Sequence, residues 1–412
     1  MAGPVALLVG LCASLFNYLR GGVDYAVLHA MALGLANGTN VYELNAPDAV
    51  SKGVVGMVYP PATAFVVWPL AYLPYDTAKT LFCLIMNVVL ISGVRALVRD
   101  AVPRAPAGAW MLAVGVVLAS ASIRWGMMLL QVAPLMLGLL CWFLVLLWRR
   151  PRAAVAVAAL ATAFKMTLAL PFLGVLLLHR RFVGLVVAGG TWVALNALGF
   201  LRFGPLSFAT YRANVAGFEA NDASWNINGP DPWVGTTLPR LDWAFLFFGI
   251  FGSVPVSRIG NLLASGLTAL WLLREGLRAG VSPSRATTLL FLAPLVCLGS
   301  LCVYHHQYDA CLYFAPLLLG FAYLEHLQQP RWALWCTAPL AVLITVFPIG
   351  AVQALLLPRL GLVGVGLMKL TFPVTFTLAL IGSLALLRRN LAAAVTDPEA
   401  RESSGQPAPA EP

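Results

Sequence analysis

The sequence predicts an all-α fold, a polytopic transmembrane helical bundle of about twelve spans. Of the 412 residues, 60% are hydrophobic and only 10% are charged, a composition unlike that of a soluble fold with one or two cores. Hydrophobic runs of about 15–21 residues recur almost end to end, and a bilayer core needs about 20 residues for each helical crossing. The runs are continuous rather than alternating, which favours helices over barrel strands.

Arginine clusters between these runs predict the orientation, because Lys and Arg near the ends of spans favour the cytoplasmic side. We place all five clusters inside: Arg95/Arg99/Arg104, Arg149/Arg150/Arg152, Arg180/Arg181, Arg274/Arg278/Arg285 and Arg388/Arg389. The spans are then predicted at 4–19, 78–98, 107–123, 131–148, 153–164, 166–178, 182–201, 256–273, 286–303, 308–326, 331–350 and 369–387. Both termini are then cytoplasmic. Two further apolar stretches, 59–74 and 243–253, would put the charges out of phase if they crossed, so we expect them to be juxtamembrane or re-entrant pieces on the outer side.

This topology gives one transmembrane domain, residues 1–389, with two long outer loops at 20–77 and 202–255. Residues 390–412 are polar and proline-rich, which predicts a disordered cytoplasmic tail. Long loops on one side of a helical scaffold commonly hold functional residues, so we expect the active face to point outward. The net charge of +10 is mostly the inner arginine collar facing anionic membrane lipids, and it gives no reason to expect nucleic acid as a partner.

Metal and disulfide chemistry have no sequence support. The seven cysteines lie in apolar spans or at their edges, without CxxC spacing or a set of partner histidines, so no disulfide is expected. The sequence contains no Asp-x-Asp pair that would clamp a metal. We therefore expect a metal-independent reaction without a cofactor.

Asp24 is the strongest candidate for a catalytic residue. It stands just beyond the first span, at the start of an amphipathic helix predicted over 25–36. A carboxylate at such a position can act as a general base that removes a proton from a hydroxyl group. Asp is also a favoured helix N-cap, and Gly21 and Gly22 before it supply a flexible entry. The residues alone leave both roles open. The other outer acids, among them Asp309, are expected mostly to be solvated loop, capping or turn residues.

Four side chains are the main candidates for binding an anionic group such as a phosphate. Lys165 lies between two short apolar halves, where a lysine in lipid is costly without a cavity or a partner; the alternative is a short outer turn from which it snorkels to head groups. His305 and His306 follow a late span on the same predicted side as Asp24, and imidazole can donate to a phosphate or a sugar hydroxyl; interfacial packing is the alternative. Arg124 would bind phosphate in bidentate fashion.

Taken in order, several motifs of the chain resemble glycosyltransferase family 87, the bacterial polyprenol-phosphate-dependent glycosyltransferases. They are an N-terminal span with Asp24 just outside it, a turn from Gly38 to Tyr42, the box Tyr59-Pro60-Pro61, Gln131 in an apolar segment, the intramembrane Lys165 and the pair His305-His306. The resemblance extends over about the first ten spans. Each motif alone is weak, and their order carries the likeness.

The resemblance implies a C-type glycosyltransferase architecture in a bacterial plasma membrane, with an active site facing outside. It implies a hexosyltransferase that moves a hexose, mannose by analogy, from a polyprenyl-phosphate sugar donor to a glycolipid or lipoglycan acceptor. Asp24 would be the general base, and Lys165, His305, His306 and Arg124 would bind the donor phosphate. Tyr59 and Gln131 would bind substrate. So would Trp225 and Asn228 in the second outer loop, where aromatic faces and amides commonly hold sugars, although aromatic residues of the interfacial belt look the same.

A transporter or flippase for lipid or solute is the second hypothesis, because an intramembrane lysine and a histidine pair also suit a substrate or proton site. We see no similarity between the two halves of the chain, and the motifs gather at one face rather than at mid-bilayer. Both observations favour the transferase.

Overall fold

The computed structural model describes residues 2–20, 22–45, 58–218, 229–234, 239–279, 283–303, 305–322, 331–345 and 349–396. Every regular element within these ranges is a helix, and one isolated bridge pairs Arg240 with His306. The α-helices are α1 (Ala2–Arg20), α2 (Val23–Asn37), α3 (Pro61–Val67), α4 (Tyr75–Ala101), α5 (Ala107–Ala119), α6 (Ala121–Leu129), α7 (Ala133–Arg149), α8 (Pro151–Phe164), α9 (Met166–Leu178), α10 (Phe182–Phe203), α11 (Ser207–Phe218), α12 (Trp243–Phe251), α13 (Val254–Arg278), α14 (Arg285–Cys302), α15 (Phe314–Ala322), α16 (Arg331–Thr345) and α17 (Ile349–Thr396). Helix α17 is kinked at Gly361, whose φ of 60° and ψ of −157° are not helical. Short 3₁₀ helices cover Val41–Asn45, Trp68–Tyr72 and Asp309–Tyr313.

The all-α polytopic membrane fold is confirmed. Five helical stretches in the described part are long and apolar enough to cross a bilayer: Tyr75–Ala101, Phe182–Phe203, Val254–Arg278, Arg285–Cys302 and Leu355–Leu391. A sixth crossing results if α5 and α6, which meet at an angle of 61°, count as one broken span. Other predicted spans fall on apolar helices of 13 to 17 residues, such as α7, α8 and α9. Their bounds lie within two residues of the predicted spans 131–148, 153–164 and 166–178.

The two apolar stretches that we expected not to cross do form short helices. Within 59–74 the chain makes α3, of 7 residues, and the 3₁₀ helix Trp68–Tyr72. Within 243–253 it makes α12, of 9 residues, which ends at the left-handed Gly252. A helical crossing needs about 20 residues, so neither stretch spans a bilayer as a helix.

Arginines mark one end of the bundle. Asp100, near the end of α4, accepts hydrogen bonds from Arg149 Nε, at 3.0 Å, and from Arg285 Nη1, at 3.2 Å. The end of α7 and the start of α14 therefore meet there. Gln131 precedes α7 and His305 follows α14, and a helix of this length extends about 25 Å. Those two residues consequently lie at the opposite end of the bundle from the arginines.

Lys165 occupies the tip of a helical hairpin formed by α8 and α9. Val155, early in α8, packs beside Gly184 at the start of α10. The C-terminal end of α8 lies near the C-terminal half of α10, because both contact α3. Thr63 Oγ1 of α3 donates to the Phe164 carbonyl of α8, and the Ala62 amide of α3 donates to Asn196 Oδ1 of α10. Thus α8 and α10 run in the same direction and α9 returns between them. Each arm of the hairpin, of 14 and 13 residues, is about 20 Å long, less than the hydrocarbon thickness of about 30 Å.

Two close contacts between helices, one joining α7 to α4 and the other joining α5 to α1, position the segments that carry Asp24 and Gln131. A Cβ atom on Gly138 of α7 would lie 2.7 Å from the Leu90 Cα of α4, and one on Gly115 of α5 would lie 2.3 Å from the Ala6 backbone of α1. Small residues allow such backbone approach between membrane helices. The contacts fix α1, which leads to Asp24, and α7, which follows Gln131.

Candidate active site

Asp24 lies in the first turn of α2 and not at its cap. The helix begins at Val23, and Gly22 is the capping residue with φ 121°, a conformation that L side chains rarely adopt. The Gly22 amide donates to the Met128 carbonyl of α6 at 2.9 Å. The capping alternative for Asp24 is therefore wrong, and so is the predicted helix start at residue 25. The Asp24 carboxylate instead accepts a hydrogen bond from the Gln131 side chain.

Gln131 connects Asp24 to two tyrosines. Its position follows from Leu130, which ends α6 in the left-handed region with φ 53°. The buried Gln131 amide donates through Nε2 to Asp24 Oδ2 and, at 3.2 Å, to the Tyr308 hydroxyl. Its Oε1 accepts from the Tyr59 hydroxyl at 3.0 Å, and this contact sets the orientation of the amide. Tyr59 is itself held by Tyr42, whose hydroxyl donates to the Tyr59 carbonyl at 2.9 Å.

Lys165 forms an ion pair with a carboxylate that the sequence analysis did not single out. Its Nζ lies 3.0 and 3.1 Å from the two carboxylate oxygens of Asp309, and 5.7 Å from the centre of the Tyr308 ring. The Lys165 side chain is 19% exposed and that of Asp309 is 1% exposed. Snorkelling of Lys165 to head groups is therefore wrong, and Asp309 is not a solvated loop residue. The charge of a half-buried lysine is balanced here by a buried carboxylate.

His305 belongs to the same cluster but lies behind Asp309. Its Nδ1 is 2.9 Å from Asp309 Oδ2, and its side chain is fully buried. The His306 amide also donates to Asp309 Oδ2, at 3.3 Å. The segment that follows α14 thus wraps around one carboxylate. His305 reaches Lys165 through Asp309 and not by direct contact.

His306 is packed into the protein, as in the alternative interpretation. Its Nδ1 lies 3.2 Å from the Pro239 carbonyl, its ring centre lies 5.5 Å from that of Tyr308, and its side chain is buried. Burial lowers the pKa of His306 to about 4. The imidazole is therefore neutral at physiological pH and contributes no cation. The Leu241 amide, which donates to the His305 carbonyl at 2.9 Å, holds the backbone at 239–241 against this turn.

Of the remaining predicted residues, the structure describes only Arg124. Arg124 is exposed on α6, and Trp225 and Asn228 lie outside the described residues. In the ranges that the structure describes, no group of three or more His, Cys, Asp or Glu side chains is placed to hold a metal ion. The cluster that is assembled consists of Asp24, Gln131, Tyr59, Lys165 and Asp309, with His305 and Tyr308 as supports.

The electrostatics of Asp24 suit a proton acceptor. Helix α2 is not among the candidate spans, and Asp24 is partly exposed. Burial raises its pKa to about 6, although the hydrogen bond from Gln131 and the charge of Lys165 act in the opposite direction, and the charge of Asp309 raises it further. Such a carboxylate is mostly ionised at neutral pH, yet it is more basic than an exposed aspartate.

The fold and this cluster define a polytopic membrane protein with an acid, a lysine and bridging polar groups at one end of its helices. A sequence model of glycosyltransferase family 87 matches residues 57–238. The resemblance seen in the sequence is thereby confirmed over that region, which includes Tyr59, Gln131 and Lys165. The matched region is thus similar to the corresponding part of a glycosyltransferase of that family. Among curated proteins, none matches the chain.

Asp309 is the residue that sequence reasoning missed. Two signals were present: a lone intramembrane lysine requires a counter-ion, and Asp309 follows His305 by four residues in the short HHQYD turn. The pairing itself joins residues 144 positions apart. It depends on the placement of the α8–α9 hairpin against the turn after α14, which no local pattern reveals.

Proposed function

We propose that the protein is an integral membrane hexosyltransferase. It transfers a hexose, mannose by family analogy, from a polyprenyl-phosphate donor to a hydroxyl of a glycolipid or lipoglycan at the outer face of a bacterial plasma membrane. The observation that supports this most is the link from Asp24 through Gln131 and Tyr308 to the segment that holds Lys165. A base and a cation are thus connected at the end of the bundle opposite the arginines.

Asp24 acts as the general base in this proposal. The acceptor hydroxyl gives its proton to the Asp24 carboxylate while its oxygen forms a bond to the anomeric carbon. The bond from that carbon to the phosphate oxygen breaks, and its electron pair stays on the phosphate. The acceptor attacks opposite the leaving group, so the configuration inverts. The phosphodiester-linked donor supplies the driving force, and the reaction uses no metal or cofactor.

Lys165 acts as the cation for the donor phosphate. Its ammonium is paired with Asp309 on one side, yet the side chain remains partly accessible, so a phosphate oxygen can approach it as a point charge. Arg124, exposed on α6, is the candidate for a second phosphate contact. His305 and His306 are buried, and we assign them to supporting Asp309 and the loop, in place of the direct phosphate contact expected from the sequence.

Gln131 and Tyr59 hold Asp24 and line the approach to it. Gln131 orients the carboxylate through its hydrogen bond and is itself oriented by the Tyr59 hydroxyl. Sugar contacts from Trp225 and Asn228 remain proposals that rest on the sequence. The polyprenyl chain would lie between the helices in contact with membrane lipid.

Purified protein in liposomes with labelled polyprenyl-phosphate mannose and a lipid extract tests the proposal. A labelled product with a new glycosidic bond is the expected result. Movement of the intact donor across the bilayer, without a new bond, would identify a flippase instead. A product that carries no glycosidic bond to an acceptor hydroxyl would reject the transferase assignment.

A further inference from the structure

Asp309 is an unusual neighbour for a residue that binds phosphate. Both of its oxygens lie within 3.1 Å of Lys165 Nζ, and one also contacts His305 and the His306 amide. The carboxylate is 1% exposed, so water cannot screen it effectively. A phosphate that approaches Lys165 therefore meets a cation that is already paired with a fixed anion.

The reaction changes the charge of the phosphate at this position. The sugar donor is a phosphodiester with one negative charge. The lipid product is a phosphate monoester, whose second ionisation near pH 6 gives it about −1.5 to −2 charges at neutral pH. A site built only of cations would hold the more highly charged product more tightly than the donor. Product release would then limit turnover.

We propose that Asp309 is a positioning residue that holds Lys165 and His305 in place and, as an internal anion, weakens retention of the product phosphate. This inference rests on the proposed function and deepens it. An anion on the far side of the Lys165 ammonium repels a dianionic monoester more than a monoanionic diester. The carboxylate thus offsets the extra attraction that Lys165 has for the product.

The size of the effect follows from the geometry. Two anions on opposite sides of one ammonium, each about 3 Å from it, are about 6 Å apart. At an effective dielectric constant near 20, an additional product charge of about one half to one changes its relative affinity by at least about tenfold. Replacing Asp309 by asparagine keeps the shape and removes the charge. The variant should bind polyprenyl phosphate about tenfold more tightly relative to the donor than the natural protein does.

The measurement compares inhibition by polyprenyl phosphate with donor KM in Asp309→Asn and in the natural protein. We expect the inhibition constant to fall about tenfold relative to KM, and kcat to fall because release slows. Glu275→Gln is the matched control, since Glu275 is also a buried carboxylate paired with a basic residue, Arg278, but lies near the end of α13. Its ratio should stay within about twofold of the natural value.

A scaffold role alone predicts a different result. If Asp309 only holds Lys165, Asp309→Asn weakens donor and product alike, and an unchanged ratio or weaker relative product binding overturns the proposal. Should the variant not fold, the natural protein gives the answer: polyprenyl phosphate should bind no more than about threefold more tightly than its monomethyl ester. A preference of tenfold or more for the monoester, or binding of neither lipid, overturns the inference. This binding test needs no turnover, so its failure is distinct from a failure of sugar transfer.

Discussion

Replacing Gln131 with methionine should raise the pKa of Asp24. That pKa is already raised to about 6 by burial, with the hydrogen bond from Gln131 acting to lower it. A hydrogen bond to a charged group contributes about 1.5–3 kcal/mol, and one pKa unit corresponds to about 1.4 kcal/mol. Asp24 is partly exposed, so the lower end applies, and the pKa should rise by about one unit.

The direction of the pH dependence follows from the role of Asp24 as a base. Only the ionised carboxylate accepts the proton, so activity is present above the pKa and is lost as pH falls through it. At pH 6 the carboxylate would be about half ionised in the natural protein and about one tenth ionised in the variant. The variant should therefore lose about fivefold in kcat/KM at pH 6 beyond any loss that it shows at pH 8.5.

The assay is kcat/KM for sugar transfer between pH 5 and pH 8.5. Asn196→Ala is the control, because Asn196 is another buried amide, but it holds the Ala62 backbone and not Asp24. It should lower stability without moving the acidic limb of the profile. If Gln131→Met reduces activity by the same factor at every pH, the hydrogen bond does not lower the pKa of Asp24. A limb that moves to lower pH would contradict the reasoning directly.

Three further predictions concern the phosphate, the hydrogen-bond network and the topology. Lys165→Met should raise the donor KM at least tenfold; unchanged KM and rate, measured by donor titration, would remove Lys165 from the phosphate role. Tyr59→Phe removes the hydrogen bond to Gln131 and should lower kcat by about three- to tenfold with little change in donor KM, whereas an unchanged kcat would show that this contact is dispensable. In a cysteine-free variant, Thr39→Cys should react with an impermeant maleimide in intact cells and Arg104→Cys should not; the reverse pattern would invert the proposed orientation.

Helix ends could be predicted where the sequence contains a sharp local signal. The predicted span 166–178 has the bounds observed for α9, and 182–201 differs from α10 by two residues. In both cases a basic residue interrupts an apolar run, and the cost of burying charge in lipid ends the span.

The bend between α5 and α6 had no such signal. The apolar run continues through Ser120, yet the chain turns there by 61°. Ser120 caps α6 by accepting a hydrogen bond from the Ile123 amide, and a serine in an apolar run is equally compatible with an unbroken helix. The predicted single span at 107–123 was therefore only partly right.

In the candidate site, too, some features have a local sequence signal and others do not. Asp24 and Lys165 could be selected from residue type and position, and Tyr59 and Gln131 from the resemblance to family 87; the structure places all four in one region. The partners of Asp24 and Lys165 could not, since Gln131 and Asp309 are 107 and 144 residues away from them. Such pairings depend on which helix ends meet, and that is a property of the whole bundle.

The most direct test of the account is sugar transfer by Asp24→Asn, measured beside Asp76→Asn in the same liposomes. Asp76 also lies in the first turn of a helix but is exposed, so it controls for the loss of an acid at a helix start. The account predicts that Asp24→Asn loses about 10²–10⁴-fold in kcat with donor binding nearly unchanged, and that Asp76→Asn keeps its activity. Activity of Asp24→Asn within about threefold of the natural protein would contradict the assignment of Asp24 as the base.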